Sequence, residues 1–75
     1  MYDLQFIHND ETWYQNAFNY PSMIEAITKF AKDNYITNTD RMIPPKLAIE
    51  AHFRHKKIYV IRFTDSNALI IISKS

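Results

Sequence analysis

The chain has 75 residues, of which 47% are hydrophobic and 15% aromatic, and its formal net charge is +1. This length allows one domain, residues 1–75, near the lower size limit for a core without cross-links. The chain contains neither glycine nor cysteine, which excludes glycine-rich phosphate loops, zinc ribbons, thiol nucleophiles and disulfides. We therefore expect no cofactor and no activity from the enzyme classes that depend on those motifs.

The two halves of the chain carry opposite charge. Residues 1–40 hold two lysines against six acidic residues, a balance of −4, and residues 41–75 hold seven basic residues against two acidic ones, a balance of +5. Such asymmetry predicts either a bipolar surface that docks a charged partner or two halves that attract each other in the fold.

The first half indicates a strand, a turn and a helix. Polar and apolar residues alternate over Tyr2–His8, which is typical of a half-buried strand, and Thr12–Phe18 follows a turn as a second strand or an irregular segment. Ser22 and Glu25 have the spacing of a capping box, and the apolar spacing after them predicts a helix from Met23 to about Asn34. Asn34 or Asn38 would replace glycine at its end.

The second half indicates three strands. Residues 47–54 have the composition of a helix, but their apolar side chains alternate, and we predict a strand from that period. Strands over 58–64 and 68–73 would complete a meander through turns at His55–Lys56 and residues 65–67. The fold class is therefore α+β, a small antiparallel sheet of β(β)αβββ order with one helix packed on one face.

The core and the assembly follow from this pattern. The residues from Leu69 to Ile72 are apolar on both faces of their strand, which suits a central strand or an edge covered by the helix or by another chain. This pattern predicts partner contact or a homodimer through the sheet. The predicted core residues are Leu4, Phe6, Met23, Ile27, Phe30, Leu47, Ile49, Phe53, Ile61, Phe63 and Ile71.

The histidines give little support for catalysis or a metal site. Glu50 and His52 would share a strand face with Arg54, an arrangement suited to acid–base chemistry, but alternate polar residues are expected on any solvated strand. His52 and His55 lack two further ligands for a metal. We expect no catalytic residue and no metal ligand.

Three groups of residues are candidates for partner binding. The basic segment around Arg54, Lys56 and Lys57, placed at a predicted hairpin tip, could contact nucleic-acid phosphates or an acidic surface of a partner protein. Trp13 and Tyr14 could supply aromatic contact area to a protein partner. Acidic side chains could mimic phosphates toward a basic host protein, and these are Asp10, Glu11 and Asp40.

The favoured hypothesis is a small non-enzymatic protein that blocks a host protein by direct contact; the alternative is a nucleic-acid-binding module. A cytoplasmic location is expected, with no membrane partner, because the apolar run Ala68–Ile72 is too short to span a bilayer. In its size, its Ile-, Asn-, Lys- and Tyr-rich composition and its lack of catalytic machinery, the chain resembles small accessory proteins of phages and mobile elements. The resemblance implies an inhibitor comparable to anti-CRISPR proteins.

Overall fold

A computed structural model of the chain describes residues 1–37 and 39–75, although not the side chain of Asp40. Within these residues it confirms the α+β class with an antiparallel sheet. Asn38, the alternative end of the first helix, lies outside the described residues. The elements are strands β1 (Tyr2–His8), β2 (Glu11–Ala17), β3 (Ile58–Phe63) and β4 (Ala68–Lys74), helices α1 (Tyr20–Asp33) and α2 (Lys46–Phe53), and short 3-10 turns at Thr39–Arg41 and Thr64–Ser66.

The four strands form a sheet in the order β2-β1-β4-β3, with every neighbouring pair antiparallel. In this register Phe6 of β1 lies between Trp13 of β2 and Ile70 of β4. The strand β4, which has two apolar faces, is therefore a central strand, and this was one of the positions predicted for it. The edges of the sheet are β2 and β3.

Both helices cover the same face of the sheet. Tyr2, Leu4 and Phe6 of β1 point into the core on this face. The rings of Phe6 and Phe30 from α1 stack with centroids 4.7 Å apart, and those of Tyr2 and Phe53 from α2 are 6.2 Å apart. The opposite face of the sheet, which we call the open face, has no helix over it among the described residues.

Helix α1 begins three residues before the predicted position. Its N-cap is Asn19, whose side-chain oxygen accepts a hydrogen bond from the amide of Ser22 at 3.0 Å, so the predicted capping box with Ser22 as the cap is wrong. At the other end, Tyr35 with φ 57° takes the left-handed position, rather than Asn34. The amide of Ile36 donates to the carbonyl of Ala31 at 2.8 Å, which completes a Schellman-type end.

The strand predicted over residues 47–54 is wrong, since this segment forms helix α2. Ala48, Glu50 and Ala51 favour a helix, and in a helix of only eight residues Ile49 alone is fully buried. Leu47, predicted in the core, is 78% exposed, while Phe53 is half-buried. The last exception in the predicted core is Ile71, which is half-buried on the open face.

Candidate binding surfaces

The basic segment, Arg54–Lys57, connects α2 to β3 and is exposed throughout. It is not a hairpin tip, because the element before it is a helix. The fold adds a cation that the sequence did not associate with it: Lys74, at the end of β4, lies with Lys56 and Lys57 around a groove of about 620 Å³. The ammonium of Lys74 also lies 5.7 Å from the centroid of the Tyr2 ring.

The acidic candidates lie at the other end of the strands. Asp10 and Glu11 are exposed at the turn from β1 to β2. The basic segment lies beside the first residues of β1 and β3, and a seven-residue strand spans roughly 20 Å. Asp65, in the turn after β3, shares the acidic end. The candidate acidic and basic residues thus lie at opposite ends of the strands, but Asp3 lies at the basic end and Arg41 and Arg62 lie near Asp65, so the predicted bipolar surface stays a prediction. The side chain of Asp40 lies outside the described residues.

Trp13 and Tyr14 are adjacent on β2 and consequently point to opposite faces of the sheet. Trp13 lies on the helix-covered face, with its ring centroid 6.2 Å from that of Phe30. Tyr14 lies on the open face with 77% of its surface exposed, and its hydroxyl accepts a hydrogen bond from the Gln5 amide at 3.4 Å. The fold thus separates the two aromatic candidates, and only Tyr14 belongs to a larger exposed surface.

That larger surface is the open face of the sheet, which the sequence-based site did not include. Most of its residues on β3 and β4 are apolar and at least partly exposed, with Ile58 50% and Val60 41% exposed, and the polar Gln5 lies at its centre on β1. Asp3 and Arg62 are its charged residues, on different strands. By the strand register, the apolar set consists of Ile7, Tyr14, Ile58, Val60, Leu69 and Ile71.

A signal for the open face was present in the sequence. In β3 the inward residues Ile61 and Phe63 alternate with Ile58 and Val60, so this strand is apolar on both faces, like β4. A strand that is apolar on both faces is also expected where helices cover both sides of a sheet. Only the fold reveals that one side lacks a cover.

The histidine–carboxylate pair has no catalytic geometry. Glu50 and His52 are two positions apart, and because residues 46–53 form a helix, their side chains point in different directions. The His52 ring contacts the carbonyl oxygen of Ile58 through Nε2 and packs edge-on against Tyr59, with centroids 4.8 Å apart. This histidine therefore anchors α2 to β3. Among the described residues, no three acidic or histidine side chains cluster in a way that could hold a metal ion.

Comparison with known proteins gives no relative for this chain: no family model, curated protein or solved structure matches it. In the described part of the chain, none of the helices combines the length and apolar character needed to cross a membrane. The surfaces described above are consequently the basis for assigning a function.

Proposed function

We propose that this chain is a non-enzymatic binding protein that blocks a host protein, and that the open face of its sheet is the contact surface. The observation that carries the proposal is the uncovered row across the four strands, in which Tyr14, Ile71 and Val60 are interrupted by one polar residue, Gln5 of β1. An inhibitor carried by a phage or another mobile element fits the size and composition of the chain.

The chemistry of the open face favours a protein over a nucleic acid. Asp3 and Arg62 carry its two opposite charges, so the face has no excess of cations for a phosphate backbone. A mainly apolar face with Tyr14 on one edge strand and Arg62 on the other resembles the composition that concentrates binding energy in protein interfaces. The partner surface that this face fits is flat and apolar at its centre, with a carboxylate placed to meet Arg62.

The dimensions of the open face agree with a contact of modest size. Four strands at about 4.8 Å spacing and six or seven residues in length give a face roughly 19 Å by 23 Å, about 440 Å², so residues of the rim must supply part of a standard contact. Standard protein interfaces bury roughly 800 Å² on each partner. The face and its rim can supply an interface of this class, whereas a flat surface does not enclose a small substrate.

The experiment compares three versions of the chain as bait in a lysate of the host. Tyr14→Ala/Ile71→Lys alters the open face, and Leu47→Lys adds the same charge at an exposed residue of α2, away from that face. We expect a host protein to bind the wild type and the Leu47→Lys control at a fixed stoichiometry. The open-face variant should bind that protein at least about tenfold more weakly, which corresponds to roughly 1.4 kcal/mol.

The proposal fails if the captured protein binds all three versions equally, or if no version captures a protein. Circular dichroism on each variant establishes that the α+β fold is retained. Binding of the purified partner is then measured by calorimetry, which reports affinity and stoichiometry together.

A second candidate function, nucleic-acid binding, is favoured by one observation. Lys74 joins Lys56 and Lys57 around one groove, so cations from two distant segments converge with Phe53 beside them. Binding of single-stranded nucleic acid there should weaken steeply with salt, and each lysine changed to glutamine should flatten the log–log slope by about 0.7 per lost phosphate contact. Salt-sensitive retention of RNA or DNA without a captured protein would favour this function over the inhibitor.

A further inference from the structure

We propose that a second copy of this chain pairs with the outer edge of β3. The pairing is antiparallel and two-fold symmetric, so that two four-stranded sheets join into one of eight strands. This inference does not rest on the proposed function, because it uses the edge of the sheet rather than its open face.

The β3 edge lacks the features that prevent strands from pairing. As an edge strand, β3 has no neighbouring strand along its outer side among the described residues, although the carbonyl oxygen of Ile58 contacts His52 of its own chain. Five of its six residues are apolar or aromatic, and Arg62 is its single charged residue; it contains no proline and no inward-pointing charge. The other edge strand, β2, differs because Glu11, Thr12, Gln15 and Asn16 make it mostly polar and exposed.

The charges on either side of β3 are complementary to those of a second copy. The basic segment Arg54–Lys57 comes immediately before the strand, and Asp65 comes immediately after it, in a groove that Arg41 and Arg62 of the same chain also line. Antiparallel pairing reverses one strand, so the basic segment of each copy lies beside Asp65 of the other. The two-fold axis produces this contact twice, which is why a second copy fits the edge better than an uncharged peptide.

A register centred on Val60 satisfies the side chains as well as the backbone. Val60 then lies opposite the same residue of the second copy, and Ile58 lies opposite the aliphatic stem of Arg62. The two Arg62 side chains are four residues apart along the paired strands, roughly 13 Å, so they do not repel each other strongly. The pairing uses residues 58–62; Phe63 lies beside Arg41 and Met42 of its own chain.

Such a dimer would also enlarge the open face. The apolar residues of β3, Ile58 and Val60, would lie at its centre instead of at its margin, and the two open faces would be continuous across the two-fold axis. The partner-binding area available to one assembly would double.

A single-cysteine experiment tests the register directly, because the natural chain has no cysteine. Opposed residues of antiparallel strands have Cα atoms about 4.5–5.5 Å apart, within the roughly 4.4–6.8 Å that disulfides span. Val60→Cys should therefore form a covalent dimer of twice the 9.0 kDa chain mass under mild oxidation. Thr12→Cys, exposed on the other edge strand, is the matched control and should remain monomeric.

Charge exchange tests the complementarity in the chain without cysteine. By sedimentation equilibrium, Lys57→Glu or Asp65→Lys alone should raise the dimer dissociation constant by about fivefold or more, since each change affects two symmetric contacts. The double variant Lys57→Glu/Asp65→Lys should restore the dimer, and a purely structural role for either residue would not give this recovery.

Two results would overturn the proposal. One is a wild-type chain that stays at 9.0 kDa up to millimolar concentration. The other is a dimer that cross-links through Thr12→Cys but not through Val60→Cys, because that result would place the contact at β2.

Discussion

Because the chain has no glycine, other residues occupy the backbone positions with positive φ that glycine would normally take. Four of the described residues have positive φ, and at Asn9, Asp10 and Asn67 a short polar side chain tolerates the left-handed conformation. Tyr35 is different, because a bulky residue in this conformation costs about 1 kcal/mol and its ring is 91% exposed. Neither its positive φ nor its exposed ring stabilises the fold, so packing and backbone conformation do not explain why a tyrosine occupies position 35.

Tyr2 makes the stability of the fold sensitive to alkaline pH. Burial raises the pKa of the Tyr2 phenol above its usual 10.0, and the nearby Glu50 carboxylate and Tyr20 add to this effect. In the unfolded chain the phenol ionises near pH 10.0, whereas the folded chain resists ionisation. The stabilisation from the neutral phenol is therefore complete below pH 10.0 and is lost as the pH rises above it.

This predicts a difference between two tyrosine variants. Tyr2→Phe should make the decline of the unfolding free energy above pH 10.0 shallower than in the wild type. Tyr35→Phe removes a hydroxyl from an exposed ring and serves as the control. Urea denaturation at each pH provides the measurement, and equal slopes for Tyr2→Phe and wild type would contradict the assigned cause.

At the scale of elements, sequence periodicity was sufficient for β1, β3, β4 and α1, because each of them buries one full face or stripe. It failed for α2, whose residues Leu47, Ile49 and Phe53 alternate like a strand although Leu47 is exposed. A two-turn helix that buries one residue completely has no amphipathic stripe to detect, and local propensity together with the preceding Pro45 determines its conformation.

The candidate site was predictable only in part, for a related reason. Exposed charges such as Asp10 and Lys57 can be identified residue by residue. The open face depends on which side of the sheet the helices cover, and that side is set by the connections between elements rather than by the strands themselves. Apolar residues at Val60 and Ile71 predict burial equally well on either side.

The start of α1 gives a prediction at the element scale. Asn19→Ala should lower the free energy of unfolding by about 1 kcal/mol, because the amide of Ser22 loses its acceptor. Ser22→Ala should cost clearly less, since Ser22 lies within the helix rather than at its cap. Thermal and denaturant unfolding measure both, and a larger loss for Ser22→Ala would restore the capping box as the true start.

At the scale of the whole molecule, the described residues form two layers, one of helices and one of strands, and the outer face of the sheet is uncovered by them. Its accessible surface is 5329 Å², whereas a compact monomer of this mass exposes about 4,850 Å². The excess agrees with an open face that a third layer would cover in a larger domain. Both proposed contacts, with a host protein and with a second copy, act on this incompletely covered sheet.

The two faces of β4 should therefore respond differently to the same substitution. Ile70 is fully buried beneath the helices, and Ile70→Ala should destabilise the fold by about 2–5 kcal/mol through lost burial and a cavity. Ile71 is half-buried on the open face, and Ile71→Ala should cost only about 1 kcal/mol because its environment is already partly solvent. Denaturant unfolding at low protein concentration separates these values from any effect of association. Equal losses would show that the open face is covered in solution, and the binding surface would then have to be sought at the ends of the strands, where the charges lie.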